Sequence, residues 1–169
     1  MNLTEQQYLT IEQQLGRQPR GIVRIAAATN SGTPLVLQMR SWLDGEPFPT
    51  LYWLCSKDLH KAINQIETSG GVKLLEQEVL ADEHLRARLI ADQTRYRDKR
   101  FSQMCDEDKK AIAEHGFTEL FESFGIGGIR TWDKIRCLHM HYAHHLVEGN
   151  VIGEILDQRY QLNELLINN

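Results

Sequence analysis

The spacing of hydrophobic residues in the first third of the chain changes from a helical pattern to an extended one. The segment LTEQQYLTIEQQLG has apolar residues three to four positions apart, with Thr4 and Gly16 at its ends. This arrangement predicts a capped helix. The segments GIVRIAAA, LVLQMRS and LYWLC are short and apolar, and each predicts a strand. The turn residues TNSGTP lie between the first two, which are therefore expected to form an antiparallel hairpin.

The pattern after the third strand is helical almost throughout. Ser56 is expected to cap a helix that ends at Gly70, and Asp82 to cap a long one. The end of that long helix, DQTRYRDKRF, is mostly charged, and we expect it to be solvated. Asp133 is expected to cap a helix over residues 134–148, and LDGEPFPT is interpreted as a Pro/Gly connection without strands.

The order of these elements predicts the fold class. Three consecutive strands followed by many helices are typical of an α+β fold, in which a small antiparallel sheet of about three strands packs against several helices. No stretch is rich enough in Pro, Gly or Ser to act as a linker. Residues 1–169 are therefore predicted to form a single domain.

Charge and cysteine content narrow the class of protein. The net charge is −4, which argues against a nucleic-acid partner and against an anionic membrane surface. The start of the chain has no signal-peptide pattern, and no apolar run reaches the roughly 18 residues of a membrane span. The three cysteines are irregularly spaced and odd in number, so we expect reduced thiols and a cytoplasmic location. Oligomeric state cannot be inferred from these features.

The segment RCLHMHYAHHLVEG holds one of the three cysteines and four of the seven histidines. At about 100° per residue, His141 and His144 fall within about 40° of Cys137 on a helix, one on each side, and Glu148 lies between them. These four residues are predicted to form one polar stripe with catalytic potential. His139 falls on the opposite, core-facing side.

Thiolate and imidazole groups spaced in this way suit a late transition metal. Cys137, His141 and His144 are predicted to bind zinc, with Cys55 as the fourth ligand and Glu148 or His60 as lesser candidates. Two other interpretations remain open. The histidines can simply occupy a helix surface, or Cys137 can pair with His141 as a thiolate–imidazolium nucleophile.

A glycine-rich loop before this helix is a candidate anion site. Gly127 and Gly128 leave backbone N–H groups accessible, and Arg130 and Lys134 add positive charge. Arg24, on the first strand, is a further candidate. The alternative is that the glycines serve a tight turn and that the arginine edges the sheet.

Three segments carry a family resemblance: RGIVRIAAATNSGTPLVLQ, GEPFPTLYWL and GIGGIRTWDKIRCLHMHYAHHLVEGNVIG. They resemble the bacterial domain-of-unknown-function family 501. Family positions in the last segment correspond to Cys137, His139, His141, His144, Gly128, Lys134 and Gly153. The chain departs from the family pattern at two places. The family has a proline shortly before the closing glycine, where this chain has Val151-Ile152. The family also has its strand-end cysteine at the position where this chain has Ser56. The resemblance implies a shared site that includes His139, but it supplies no activity.

These observations lead to two functional hypotheses. The first is metal-assisted hydrolysis of a small phosphate-bearing molecule, in which a metal activates water, His144 or Glu148 moves the proton and arginines hold the anion. The second is a non-enzymatic binding or scaffold module whose Cys/His cluster is structural.

Overall fold

A three-stranded antiparallel sheet forms one layer of the fold, as the sequence predicts. The computed structural model describes residues 3–166. The strands are β1 (Ile22–Ala28), β2 (Pro34–Met39), β3 (Trp42–Leu43), β4 (Glu46–Pro47) and β5 (Tyr52–Leu54). The order in the main sheet is β1-β2-β5, with β2 in the centre and buried along its whole length.

Strands β3 and β4 form a separate hairpin that the sequence analysis missed. Asp44 and Gly45 connect them with positive φ angles of 52° and 84°. An Asp-Gly pair with two positive φ angles is the turn that favours a tight hairpin. The interpretation of LDGEPFPT as a connection without strands was therefore wrong.

Eight α-helices surround the sheet in the described part of the chain. They are α1 (Glu5–Leu15), α2 (Lys57–Thr68), α3 (Gly71–Ala81), α4 (Glu83–Gln103), α5 (Asp106–Glu114), α6 (Thr118–Ser123), α7 (Leu138–Glu148) and α8 (Val151–Tyr160). Single 3-10 segments cover Ile126–Gly128 and Leu162–Leu166. The predicted α+β class is confirmed. The assignment of residues 1–169 to one domain stays a prediction.

The predicted caps of the first two helices are confirmed. The Thr4 hydroxyl accepts the N–H of Gln7, the Gln7 side chain accepts the N–H of Thr4, and Gly16 ends α1 in the left-handed conformation. Ser56 accepts the N–H of Leu59 at the start of α2. Local side-chain bonding therefore determines where these helices begin.

One face of the charged second half of α4 is buried, which corrects the expectation that the whole segment is solvated. Arg100 is fully buried and donates to the main-chain oxygens of Pro49, Phe121 and Phe124. Gln93 is also fully buried and accepts the N–H of Ile126. Distant parts of the chain therefore satisfy some of the hydrogen bonds of these buried side chains, whereas Nε of Arg100 and Nε2 of Gln93 have no partner in the described residues.

Helix α7 is central and buried on most of its surface. It packs against β5, α2 and α8. A Cβ atom added at Gly153 of α8 would lie 2.0 Å from Cγ of His145, so only glycine permits this approach of α8 to α7. The described residues contain no helix that is both long and apolar enough to cross a bilayer.

Candidate functional site

The segment that leads into α7 is not helical, and Cys137 is the residue just before the helix. Carboxylates from two other helices accept N–H groups around the start of α7. Glu76 of α3 accepts the N–H of Ile135 at 3.0 Å, and Glu67 of α2 accepts the N–H of Leu138 at 2.7 Å. Asp133 instead pairs with Arg86 of α4 at 2.8 Å. The prediction that Asp133 caps this helix was wrong because the capping groups come from elsewhere in the chain.

Three potential metal ligands meet where α2 contacts the start of α7. Ligand atoms of Glu67, Cys137 and His139 all lie within 4.8 Å of one another. The His139 Nδ1 atom is 3.3 Å from Oε1 of Glu67 and 3.9 Å from Sγ of Cys137. We call these three residues the ligand group. His139 is buried, and the other two are partly exposed.

The contact of His139 Nε2 with a main-chain oxygen leaves Nδ1 as the ring nitrogen that faces the ligand group. Nε2 lies 3.3 Å from the main-chain oxygen of His60. A carbonyl oxygen only accepts, so Nε2 carries a proton and donates. In the neutral ring Nδ1 then has a lone pair that points at the Glu67 carboxylate. The Cys137 thiol can donate to this lone pair, and a metal ion bound there would replace the thiol proton.

His60 lies between the ligand group and a large cavity. Its ring centroid is 4.1 Å from that of His139, and its side chain lines a cavity of about 870 Å³ between α1 and α2. Arg17, Lys57 and Lys61 also line this cavity, and the carboxylate on its wall belongs to Asp58. We call it the basic cavity. Burial, and the proximity of His139, lower the pKa of His60 below its ordinary value.

The surroundings of Cys137 disfavour a free thiolate. Burial, and the nearby Glu67 carboxylate, raise the pKa of the thiol. The imidazole that contacts its sulfur belongs to His139. These features argue against an unassisted nucleophile formed by Cys137 and His141.

His141 and His144 are fully buried and lie outside the ligand group, farther along α7. In the described residues, neither ring nitrogen of His141 has a hydrogen-bond partner, and Nε2 of His144 has none. The ring of His144 stacks on Tyr52 and meets Tyr96 edge-on. Its Nδ1 lies 3.0 Å from the Asn150 amide. Burial lowers the pKa of both histidines to about 3.

The remaining predicted ligands also lie away from Cys137. Glu148 accepts a hydrogen bond from the Tyr52 hydroxyl at 2.5 Å. Cys55 is buried in a small apolar cluster with Leu37, and burial raises its pKa to about 12. In the described residues, the group of metal-ligand atoms formed around Cys137 contains neither Cys55 nor Glu148.

Four of the candidate anion-binding residues lie in the loop before α7, and Arg24 lies on β1. Arg130 lies over the ring of Phe124, and Arg24 donates to the side chain of Gln38. Lys134 is exposed. Gly127 and Gly128 form a turn with positive φ, and a Cβ at Gly127 would lie 3.4 Å from that of Cys137. None of the five lines the basic cavity.

Sequence reasoning missed Glu67 as a member of the site. The signal was its position on α2, seven residues after His60, which places both side chains on one face of the helix. His60 had been considered only as a lesser fourth ligand. The contact between α2 and α7 makes this face of α2 relevant, and the sequence gives no local sign of that contact.

Comparison with known proteins identifies the family. A family model described as a protein of unknown function (DUF501) matches residues 25–158. The chain belongs to the DUF501 family. The matched range of this DUF501 protein contains the whole ligand group and His60. No curated protein and no solved structure matches the chain.

Proposed function

We propose that this DUF501 protein binds a transition-metal ion, zinc by its donor set, at Glu67, Cys137 and His139. We further propose that the ion serves the hydrolysis of a small phosphate-bearing molecule held in the basic cavity. The observation that carries the proposal is the geometry of His139. Its Nδ1 lone pair faces a thiol and a carboxylate, while Nε2 is bonded to a main-chain oxygen.

The donor set and its spacing fit zinc. Thiolate, imidazole and carboxylate are its usual ligands, and bond lengths of about 2.0 to 2.3 Å put ligand atoms roughly 3.3 to 3.8 Å apart in a tetrahedron. The separations of 3.3 and 3.9 Å from His139 Nδ1 are close to these values. Metal-binding histidines commonly bond a main-chain oxygen through their other nitrogen, as His139 does.

Three protein ligands are typical of a catalytic site, because the fourth position stays open for water. A bound ion of this kind lowers the pKa of its water toward neutrality. His60 contacts His139 and lines the basic cavity, so it is placed to accept a proton from that water. Arg17, Lys57 and Lys61 would hold the phosphate.

This proposal keeps Cys137 from the sequence hypothesis and changes its partners. The metal-binding and proton-transfer roles now belong to His139, Glu67 and His60. The sequence hypothesis had given them to His141, His144, Cys55 and Glu148. The change follows from burial, because His141 and His144 are sealed inside the core. The rings of Tyr52 and Tyr96 cover His144, so an ion or substrate could not reach it without displacing them.

Cobalt absorption tests the metal site. Protein purified without a histidine tag and stripped of metal is titrated with Co²⁺. The expected result is a sulfur-to-cobalt charge-transfer band at one equivalent. The band should be lost in Cys137→Ser and kept in the matched control Cys105→Ser, which changes an exposed thiol. An identical titration for wild type and Cys137→Ser would refute the site.

Release of inorganic phosphate tests the reaction. The zinc-loaded protein is incubated with a panel of phosphomonoesters, beside Cys137→Ser and His60→Gln. We expect turnover that is lost in Cys137→Ser and reduced about 100-fold or more in His60→Gln. Zinc binding without turnover on any ester would separate the metal site from the hydrolase hypothesis.

A second candidate function is a non-enzymatic module in which the ligand group is structural. One observation favours it: Glu67 already accepts the N–H of Leu138, so the group links α2 to α7 without any ion. In this case Co²⁺ would give no charge-transfer band and zinc would give no activity, whereas Glu67→Gln would lower the stability of the protein.

A further inference from the structure

A second, apolar pocket adjoins the basic cavity. It has a volume of about 200 Å³ and is lined by Leu37, Met39, Leu43, Phe48 and Trp53. Leu15, Arg17 and Trp53 line both spaces, so the two lie on either side of the same side chains. The apolar pocket has one ion pair, between Arg20 and Asp44, both of which are largely exposed.

The apolar pocket has the size of one ring. Cavities of about 150 Å³ with apolar walls bind benzene, so about 200 Å³ accommodates a substituted ring or a short alkyl chain. Its aromatic wall is held in place, because the rings of Phe48 and Trp53 stack with centroids 5.7 Å apart. A preformed wall of this kind favours binding because little side-chain freedom is lost.

The boundary between the two spaces is charged. The Arg17 guanidinium lies 5.6 Å from the Trp53 ring centroid. On the wall of the basic cavity, the three cationic side chains of Arg17, Lys57 and Lys61 outnumber the Asp58 carboxylate, so positive charge predominates. An anionic group attached to an apolar one would therefore complement both spaces.

We infer that the substrate class is an organic phosphate that carries one aromatic ring or a short alkyl chain. The ring lies in the apolar pocket between Leu43 and Trp53, and the phosphate lies in the basic cavity near Arg17 and Lys57. This inference rests on the proposed function for the role of zinc. The pairing of the two spaces is a separate observation, which can be tested without the metal.

Binding of two phosphonates tests the inference, because their carbon–phosphorus bond resists hydrolysis. Phenylphosphonate and methylphosphonate are titrated calorimetrically into zinc-loaded and metal-free protein. The expected result is at least about tenfold tighter binding of phenylphosphonate, from burial of the ring. Equal affinities, or no binding of either compound, would overturn the inference. Benzyl alcohol, which has the ring without the charge, should bind more weakly than phenylphosphonate.

Two sets of variants locate the effect. Leu43→Trp fills the apolar pocket and should remove the preference for phenylphosphonate, whereas Leu74→Trp, on an exposed position of α3, should keep it. Lys57→Gln should weaken both phosphonates by a similar factor, with Lys73→Gln as the matched control. A preference that survives Leu43→Trp would place the ring elsewhere and refute the assignment.

A spectroscopic readout covers the case in which Leu43→Trp does not fold. In wild-type protein, phenylphosphonate should shift the indole N–H resonance of Trp53 and leave that of Trp132 unchanged. An unshifted Trp53 at saturation would overturn the inference. A preference for phenylphosphonate that is the same with and without zinc supports the pocket and contradicts a metal role in binding, so the two proposals can fail separately.

Discussion

The two halves of helix α7 carry the same type of side chain in opposite environments. At its start, His139 meets Cys137 and Glu67 next to His60, which lines the basic cavity, and each of its ring nitrogens has a polar neighbour. Two to five residues later, His141 and His144 are fully buried. In the described residues, neither ring nitrogen of His141 has a hydrogen-bond partner, and Nε2 of His144 has none. The comparison shows that neighbouring groups and access, rather than the histidine itself, determine which half can do chemistry.

Lowering the pH should destabilise the protein through the buried histidines of α7, and this is the largest effect that we expect. The folded pKa of His141 and of His144 is about 3, below their ordinary value of 6.5, so the unfolded chain binds more protons. Their contribution to stability is complete above pH 6.5 and is lost as the pH falls toward 3. Between pH 7 and pH 5 we expect the free energy of unfolding, measured with urea, to fall by about 4 kcal/mol.

A variant separates this effect from other acid-sensitive groups. His141→Leu should remove about half of the loss, because one of the two buried imidazoles is gone. Met140→Leu, a volume-conserving change on the same helix, is the control and should keep the wild-type profile. If the His141→Leu protein loses as much stability between pH 7 and pH 5 as wild type, burial of this histidine is not the cause.

Zinc should stabilise the folded protein through the ligand group at the start of α7. A ligand that binds only the folded state at a concentration 100 times its dissociation constant stabilises by about 2.7 kcal/mol. We expect this gain in wild type and in His141→Leu, and we expect its loss in His139→Gln and Glu67→Gln. Thermal unfolding at neutral pH with and without zinc measures it. Equal gains in all four proteins would show that zinc binds elsewhere.

Gly153→Ala tests how tightly the buried half is packed. The added Cβ would lie 2.0 Å from His145 Cγ, so α8 has to move away from α7. We expect a loss of about 2 kcal/mol in the free energy of unfolding. Adding His145→Ala should recover part of that loss, and the double-mutant cycle measures the coupling. Strictly additive effects would indicate that the contact does not limit the packing.

Tyr52→Phe should have the smallest effect. It removes the hydrogen bond from the tyrosine hydroxyl to Glu148, which is partly exposed and so can bind water instead. The expected cost is about 1 kcal/mol of stability. Stabilisation by zinc should be unchanged, because Tyr52 contacts the buried half of α7. A reduced zinc effect in Tyr52→Phe would mean that the two halves are coupled.

Much of the fold follows from local signals in the sequence. The caps at Thr4 and Ser56 and the strand pattern give the first helices and the main sheet correctly, because each depends on residues close together in the chain. The hairpin at Asp44-Gly45 had a readable turn signal, but the nearby prolines obscured it. Burial of the charged part of α4 could not be predicted, because the main-chain oxygens that satisfy Arg100 come from residues 49, 121 and 124.

The candidate site was only partly predictable for the same reason. The crowding of cysteine and histidine pointed to α7 and to Cys137, which lies in the ligand group. A helical projection placed His139 on the core side, where it is indeed buried, but did not bring it together with Cys137, because the projection assumed that the helix includes Cys137. The helix starts one residue later, where Glu67 of α2 accepts the N–H of Leu138. Which carboxylate meets the thiol depends on how α2 packs on α7.

The bond from Glu67 to the N–H of Leu138 has a consequence for the proposed metal site. That carboxylate keeps a partner whether or not an ion is present, so an empty site still leaves the N–H of Leu138 with its acceptor. The protein without zinc should therefore stay folded, and zinc should bind and dissociate reversibly. Occupancy would then follow the zinc supply of the cell rather than being locked in once, when the chain folds.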